Sequence, residues 1–225
     1  IFPLFHADEN DPANYDFQPT DCYFRQAVEC GAKIEIRLGE TIEHSPEQFR
    51  VHPPSDPEKW ARICINIIRH YNEGWGGGMR LGIGHVSVWE EPDTNPQLFT
   101  GSFEQYLELY ATASRKLREA FPALKIGGPN TGFGLAIIER FLAGCEKNRL
   151  PVDFLCVTCY SRDPEAIAER IRQADVLLKK YGFPKAEINL SEWHYGPAQW
   201  GTDGHFGCGE FYRTVSGAFC VSSLI

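Results

Sequence analysis

The pattern that decides the fold lies at residues 86–92, which read VSVWEEP. The short apolar run over 83–89 predicts a buried strand, and two acids followed by a proline mark its carboxyl end. A second run, INLSEW at 188–193, also ends in an acid beside a tryptophan. Buried strands of this kind are typical of parallel sheets, in which functional side chains gather at the carboxyl ends of the strands.

Short apolar runs and longer amphipathic segments alternate on both sides of these two stretches. The predicted strands are 33–38, 83–89, 124–127, 153–159 and 187–191. The predicted helices are 20–30, 56–73, 102–121, 135–147 and 163–181, with another helix starting near 209. Such alternation implies right-handed βαβ units and a parallel sheet, which leaves a (β/α)₈ barrel or a doubly wound sheet.

Capping and turn residues refine these boundaries. Ser102 and Gln105 have the spacing of a capping box, and Asp163 and Thr20 are predicted to cap their helices. Residues 127–130, GGPN, follow a strand and predict a tight turn at the carboxyl edge of the sheet, from which Asn130 could reach a ligand. Their spacing fits no nucleotide-binding fingerprint.

The composition narrows the functional classes. A chain of 225 residues, 43% of them hydrophobic, is long enough for one sizeable core, so we interpret residues 1–225 as one domain. The net charge of −8 and the absence of a basic run argue against a nucleic-acid partner. No stretch approaches the ~20 apolar residues of a membrane span. The first residues lack both a basic leader and an initiator methionine, so they leave the compartment open. The oligomeric state is also left open by the sequence.

The cysteines favour buried free thiols over a metal site. Cys156 and Cys159 have a redox or zinc spacing, but they lie in a predicted strand, where residues three apart point to opposite faces. Free thiols in apolar segments slightly favour a reducing compartment such as the cytoplasm. We therefore expect no metal and no cofactor.

Two carboxylates stand out by position. Glu91 and Glu192 each end a predicted strand close to a tryptophan, and three strand-and-helix repeats separate them. In a barrel, strands three apart face each other across the mouth, so both acids can reach one ligand. Such a pair can cleave a glycosidic bond, because one acid protonates the leaving oxygen while the other attacks the anomeric carbon. The alternative is that strand-end acids cap the next helix or pair with a base.

The chain resembles glycoside hydrolase family 39, the β-xylosidase and α-L-iduronidase family of the clan A retaining glycosidases. Residues 89–93, WEEPD, look like the Trp-Asn-Glu-Pro motif of that clan. Further similar stretches are 104–110, KIGGP at 125–129, PVDF at 151–154 and SEW at 191–193. The resemblance implies an incomplete (β/α)₈ TIM barrel, from about strand 2 to helix 7, and hence a fragment or one piece of a larger chain. It also implies that Glu91 is the acid/base and Glu192 the nucleophile of a retaining double displacement.

Three departures from the family pattern cluster at the expected site. Glu90 stands where the family usually has an asparagine that donates to the sugar 2-hydroxyl. A third acid there is either held protonated by its like-charged neighbours and still donates, or it repels anionic substrates. Thr158 and His194 stand where relatives tend to have histidine and asparagine. These changes keep open a catalytically impaired barrel that binds carbohydrate without efficient turnover.

The remaining site predictions concern substrate binding. The predicted substrate-binding residues are Glu90, Trp89, Arg37, Thr158, Tyr160, Trp193 and His194. Arg37 and Arg162 either hold a sugar hydroxyl, position a carboxylate or form a structural ion pair. The substrate is predicted to be a xyloside or a related glycoside or oligosaccharide. A nucleotide-binding doubly wound sheet is the competing class, but it would not explain two tryptophan-flanked acids.

Overall fold

The computed structural model describes residues 1–39, 51–94, 98–131, 134–161 and 163–194 of the chain. The predicted helix near 209, Arg162 and the side chain of His194 lie outside the described part. The described strands are β1 Glu35–Leu38, β2 His85–Val88, β3 Lys125–Thr131, β4 Phe154–Tyr160 and β5 Glu187–His194. The described α-helices are α1 Gln18–Glu29, α2 Pro57–Asn72, α3 Phe103–Ala120, α4 Leu135–Asn148 and α5 Pro164–Lys180. Of these helices, none has the length and apolar character that a membrane crossing requires.

The five strands lie side by side in chain order, and all four pairings are parallel. A doubly wound sheet reverses its strand order at a switch point, so the sequential order excludes that arrangement for the described sheet. Five consecutive parallel strands with helices between them form a half-barrel. The prediction of a partial (β/α)₈ TIM barrel is confirmed.

The sheet is strongly curved. Side chains of β1 and β5, which are not neighbours in the sheet, meet across its concave face. Asn189 donates a hydrogen bond to Glu35, and Arg37 donates one to Glu192. The concave face is therefore the inside of the half-barrel, and its carboxyl end carries the strand-end acids.

The core fills the space between the convex face of the sheet and the helices. Val86 and Val88 of β2 are fully buried against this layer. The hydroxyl of Tyr106 on α3 donates to the backbone oxygen of Val88 at 3.0 Å, so helix and strand are joined by a buried hydrogen bond. The buried side of α3 includes Tyr106, Leu109, Tyr110, Ala113 and Leu117.

Two of the predicted helix caps are confirmed. The Ser102 hydroxyl accepts from the Gln105 amide at 3.2 Å, and the Gln105 side chain accepts from the Ser102 amide at 2.8 Å, which completes a capping box. Asp163 accepts from the backbone amide of Glu165 at 3.0 Å at the start of α5. These caps satisfy amides that the first turn of a helix leaves unpaired.

The predicted cap at Thr20 is wrong. Helix α1 begins two residues earlier, at Gln18, and its N-cap Phe17 makes no side-chain hydrogen bond. Pro19 lies in the first turn, where its fixed φ suits the helix and its missing amide costs nothing. The proline therefore moves the start of the helix upstream of the polar residue.

The predicted turn at residues 127–130 is also wrong, because β3 continues to Thr131. Glycine is needed in this stretch for a close strand contact. A Cβ added at Gly127 would lie 2.6 Å from the carbonyl oxygen of Phe154 on β4. The longer strand carries Asn130 to the carboxyl end of the sheet.

Candidate active site

Three carboxyl groups converge at the carboxyl end of the half-barrel. Glu90 and Glu91 lie two and three residues after the end of β2, and Glu192 lies near the end of β5. One oxygen from each of the three lies within 4.8 Å of the others. Glu90 is only 4% exposed, whereas Glu91 and Glu192 are half-buried. The structure thus brings together the two acids predicted as a catalytic pair and the acid that departs from the family motif.

The backbone after β2 allows two consecutive acids to reach one cluster. In an extended strand, neighbouring side chains point to opposite faces. Trp89 and Glu91 instead have positive φ values of 68° and 36°, which residues with side chains seldom adopt. The Glu91 amide donates to the Asn130 backbone oxygen at 2.8 Å and so ties this turn to β3. Backbone strain of this kind is concentrated at functional sites.

A β-bulge brings Glu192 to the inside of the half-barrel. Val157 of β4 pairs with Leu190, but the next residue, Thr158, pairs with Glu192 and leaves Ser191 as an extra residue. Because alternate residues of a strand share a face, one extra residue puts Glu192 inside, where Ser191 would otherwise point. The Ser191 hydroxyl donates to the Val157 backbone oxygen at 3.2 Å and holds the bulge in place.

Arg37 and Tyr160 hold the carboxyl group of Glu192. Arg37 Nη1 donates to Glu192 Oε1 at 3.1 Å and lies 2.5 Å from Glu90 Oε2. The Tyr160 hydroxyl donates to Glu192 Oε2 at 2.5 Å. Both oxygens of Glu192 are therefore engaged. Of the alternatives given for Arg37, the structure describes contacts with carboxyl groups, in the form of ion pairs with Glu90 and Glu192.

Two further polar residues donate hydrogen bonds to Glu90 and Glu91. Asn130, which is fully buried, donates from Nδ2 to Glu90 Oε2 at 3.1 Å. The Thr94 hydroxyl donates to Glu91 Oε2 at 3.1 Å. Asn130 is predicted from the sequence only as a possible ligand contact, and Thr94 is not predicted at all. A hydroxyl three residues after a strand-end acid is the signal that could have found it.

The three acids differ in protonation. Burial raises the pKa of Glu90 to about 9, against the charge of Arg37 and with help from Glu192. Burial likewise raises the pKa of Glu91 to about 7. Burial also acts to raise the pKa of Glu192, but hydrogen bonds from Tyr160 and Glu90 and the charge of Arg37 outweigh it, so this pKa is lowered. At neutral pH, Glu192 is ionised, Glu90 is neutral and Glu91 is near its midpoint.

Trp89 is placed apart from this cluster. Its side chain is 1% exposed, its indole nitrogen donates to the Leu98 backbone oxygen at 2.9 Å, and its ring packs edge-on against Phe99. The indole is part of the core and packs beneath the strained turn at residues 89–91, on the side away from the three acids. This placement contradicts the expectation that Trp89 contacts a substrate.

The other predicted binding residues occupy three different environments. Thr158 lies beside Glu192 and is buried, and its hydroxyl has no hydrogen-bond partner among the described residues. Trp193 is 37% exposed and follows Glu192 on the strand, so it faces the opposite side of β5. The backbone of His194 ends β5, but its side chain is outside the described part.

The site chemistry fits proton transfer better than metal binding. Three carboxylate oxygens this close can hold a cation. Arg37, however, already places a positive charge against Glu90 and Glu192. A curved parallel sheet with differently protonated carboxyl groups at its strand ends defines a class, that of TIM-barrel proteins whose sites are built on paired acids.

Comparison with known proteins identifies the family. The model of glycosyl hydrolases family 39 matches residues 3–182, and the chain belongs to that family. The matched range includes Arg37, Glu90, Glu91 and Tyr160, but it ends before β5. The position of Glu192 in the site therefore depends on the geometry described above.

Several relatives are similar over part of their length. β-Xylosidases of Geobacillus stearothermophilus and Caldicellulosiruptor saccharolyticus are 26% identical over 173 residues and 27% identical over 165 residues. These matches cover 65% and 66% of this chain but only 33% and 32% of the relatives, so the chain spans about a third of their length.

Solved structures are also similar to this chain over part of their length. A glucosidase from Croceicoccus marinus superimposes with a TM-score of 0.79 at 33% identity, over 87% of this chain and 42% of that one. A monomeric β-xylosidase from Caulobacter crescentus superimposes with a TM-score of 0.66 at 22% identity, over 81% of this chain and 42% of that one. The second likeness concerns the fold alone.

Proposed function

We propose that this chain forms part of a retaining glycoside hydrolase in which Glu91 is the acid/base and Glu192 the nucleophile. The meeting of the two acids carries the proposal, because one oxygen of Glu91 and one of Glu192 lie within 4.8 Å of each other. Retaining enzymes hold their two carboxyl groups close together, about 5–5.5 Å apart, so that one of them attacks the anomeric carbon directly. Acids whose oxygens meet this closely can both reach one glycosidic bond, which supports direct attack by Glu192.

The protonation of the two acids suits these roles. Glu91, with its pKa raised to about 7, protonates the glycosidic oxygen as the bond breaks. Glu192, ionised because its pKa is lowered, attacks the anomeric carbon and forms a glycosyl-enzyme. Glu91 then takes a proton from water, the water attacks the same carbon, and the bond to Glu192 breaks to release its carboxylate. The product retains its configuration.

The neighbours of Glu192 prepare it for attack. Arg37 and Tyr160 donate to different oxygens of the carboxylate, so they favour its charged form and fix its plane. A nucleophile held in one orientation needs less reorganisation to reach the reacting carbon.

We propose a neutral glycoside as the substrate. The relatives named above are called β-xylosidases and a glucosidase, and xylosides and glucosides are both uncharged. In the described part of the site, Arg37 is already committed to Glu90 and Glu192. The carboxylate of a uronic acid would therefore enter without a described cation to pair with, beside the charge of Glu192 and the partly ionised Glu91, and this disfavours it.

A barrel that binds sugar without efficient turnover is a second candidate. One observation favours it: an oxygen of Glu90 lies within 4.8 Å of an oxygen of Glu192, so a protonated Glu90 can donate to the group that would have to attack. Hydrogen bonds to a carboxylate lower its nucleophilicity as well as its pKa. Such a barrel would still bind the sugar but would hydrolyse it slowly or not at all.

The test uses the full-length protein that contains this chain, with 2,4-dinitrophenyl xyloside and glucoside as substrates. This leaving group needs little protonation, so the assay reports on the nucleophile. Turnover should be lost in Glu192→Ala and retained in Glu187→Ala, a matched control at the exposed amino end of β5. Absence of turnover on both sugars, with sugar binding still detected by calorimetry, would replace this proposal with the second candidate.

A further inference from the structure

We propose that Glu90 and Glu192 share one proton as a carboxylic acid–carboxylate pair, in which Glu90 is the positioning residue that keeps the proton. The inference rests on the proposed function only in giving Glu192 the role of nucleophile. It adds a specific task for Glu90: the acid donates an O–H hydrogen bond to Glu192 and sets the alkaline limit of the site.

The contacts of Glu90 locate its proton. Its Oε2 atom lies 2.5 Å from Arg37 Nη1 and accepts from Asn130 Nδ2 at 3.1 Å. An oxygen that faces a guanidinium and an amide N–H carries no proton of its own. The proton therefore belongs on Oε1, from which it can be donated to the neighbouring carboxylate of Glu192.

The charge balance requires such a proton. Three carboxyl groups meet within 4.8 Å in a buried site, and like charges this close do not all ionise. Arg37 contacts Glu90 and Glu192, and its charge offsets one negative charge only. A neutral Glu90 leaves Glu192 and Arg37 as a balanced pair. Burial supports this state, since it raises the pKa of Glu90 to about 9.

No other described group facing Glu90 supplies the missing positive charge. The titratable and charged groups around it are Arg37 from β1, Glu91 on its own segment, Cys156 and Tyr160 from β4, Glu192 from β5 and Tyr106 from α3. Burial raises the pKa values of Cys156, Tyr160 and Tyr106, so these three stay neutral. Arg37 is the one cation within this described set.

The shared proton has a consequence for each step of the reaction. As Glu192 bonds to the sugar it loses its charge, and the hydrogen bond from Glu90 weakens. When water releases the sugar, Glu192 becomes a carboxylate again and the bond regains its strength. Glu90 thus opposes attack and assists release, and no atom is exchanged between the two acids. Once Glu90 ionises at alkaline pH, repulsion replaces the bond and turnover falls.

The kinetic test is the pH profile of kcat on the dinitrophenyl glycoside, because its good leaving group makes release of the sugar, the step that Glu90 assists, limit turnover. We expect an alkaline limb near pH 9 in the wild type, about where Glu90 ionises. Glu90→Gln keeps a donor but cannot ionise, so its profile should lack that limb. The matched variant Glu91→Gln should retain it. An unchanged alkaline limb in Glu90→Gln would overturn the proposal.

A second readout separates this inference from the proposed function. The infrared C=O stretch of a protonated carboxyl group should be present at neutral pH in Glu91→Gln, where Glu91 itself cannot contribute. It should be lost when Glu90→Gln or, if that variant does not fold, Glu90→Asn is added to Glu91→Gln. This measurement needs no turnover, so an inactive protein would refute the glycosidase and still test the shared proton. A band that persists in these double variants refutes the shared proton even in an active enzyme.

Discussion

Arg37 on β1 donates a hydrogen bond to Glu192 on β5 at 3.1 Å, although 155 positions separate the two residues in the chain. The same nitrogen lies 2.5 Å from Glu90. One guanidinium thus links the first and last strands of the described sheet and balances the charge of the proposed nucleophile. Its fixed, planar arrangement of donors suits it to two carboxyl groups at once.

Replacing Arg37 by lysine should therefore impair the site although the charge is kept. Arg37 makes both contacts through Nη1, and the lysine ammonium ends one bond earlier along its side chain, so it cannot keep both carboxyl groups at these distances. Loss of one charge-assisted hydrogen bond costs about 1.5–3 kcal/mol, so kcat/KM should fall by about 10–150-fold. The pKa of Glu192 should rise, which moves the acid limb of the pH profile upward. Arg140→Lys on the exposed face of α4 is the control, and equal profiles for both variants would contradict the role of Arg37.

The role of Glu91 predicts a dependence on the leaving group. In the wild type, the rate on a substrate with a poor leaving group should fall as pH rises through about 7, where Glu91 loses its proton. Glu91→Ala should lose about 10²–10⁴-fold on such a substrate, the usual contribution of a general acid. The first step on the dinitrophenyl glycoside should change much less, and added azide should accelerate release of the sugar. An equal loss on both substrates would show that Glu91 is not the acid.

Stability should decrease toward alkaline pH. The pKa of Glu90 is about 9 and that of Glu91 about 7 in the folded chain, against 4.5 for an ordinary glutamate. Between these values the folded state binds more protons than the unfolded state, so the free energy of unfolding falls as pH rises from about 4.5 to about 9. Glu192, with its lowered pKa, has the opposite effect only at acid pH.

Thermal unfolding of Glu90→Gln checks this expectation. Its Tm should decline less than that of the wild type between pH 5 and pH 9, because the amide has no proton to lose. Glu108→Gln, at an exposed position on α3, should follow the wild-type curve. A Glu90→Gln curve parallel to the wild type would mean that Glu90 is already ionised in the folded protein.

Two glycines next to the sheet allow a matched test of packing. A Cβ at Gly127 would lie 2.6 Å from the Phe154 carbonyl oxygen, which cannot move without shifting the β3–β4 pairing. Gly127→Ala should lower the free energy of unfolding by about 1–3 kcal/mol. Gly84, immediately before β2, has open space around it, and Gly84→Ala should change stability by less than about 0.5 kcal/mol. Urea titration of both variants measures the difference, and equal values would refute the close contact.

The sequence predicts the elements of this fold well, since helices and strands have different hydrophobic periods. It also places Glu91 and Glu192 at strand ends on the basis of position alone. The bulge at Ser191 was not predicted, because one extra residue in a strand does not change the hydrophobic pattern recognisably. The positive φ values at Trp89 and Glu91 escaped it too, because neither residue type favours them. Trp89 was misplaced, since a tryptophan beside an acid suits a sugar platform and a core equally well.

The chain-order arrangement of the strands also bears on how the site forms during folding. Each strand pairs with the next one along the chain, so the sheet can grow through contacts that are close in sequence. The bonds from β5 back to β1 instead join residues 154 and 155 positions apart, and closing such a loop costs entropy. That cost is offset once β2, β3 and β4 hold the two ends together. Recovery of the site after denaturation should therefore lag behind recovery of helix, with the docking of the fifth strand as its last event.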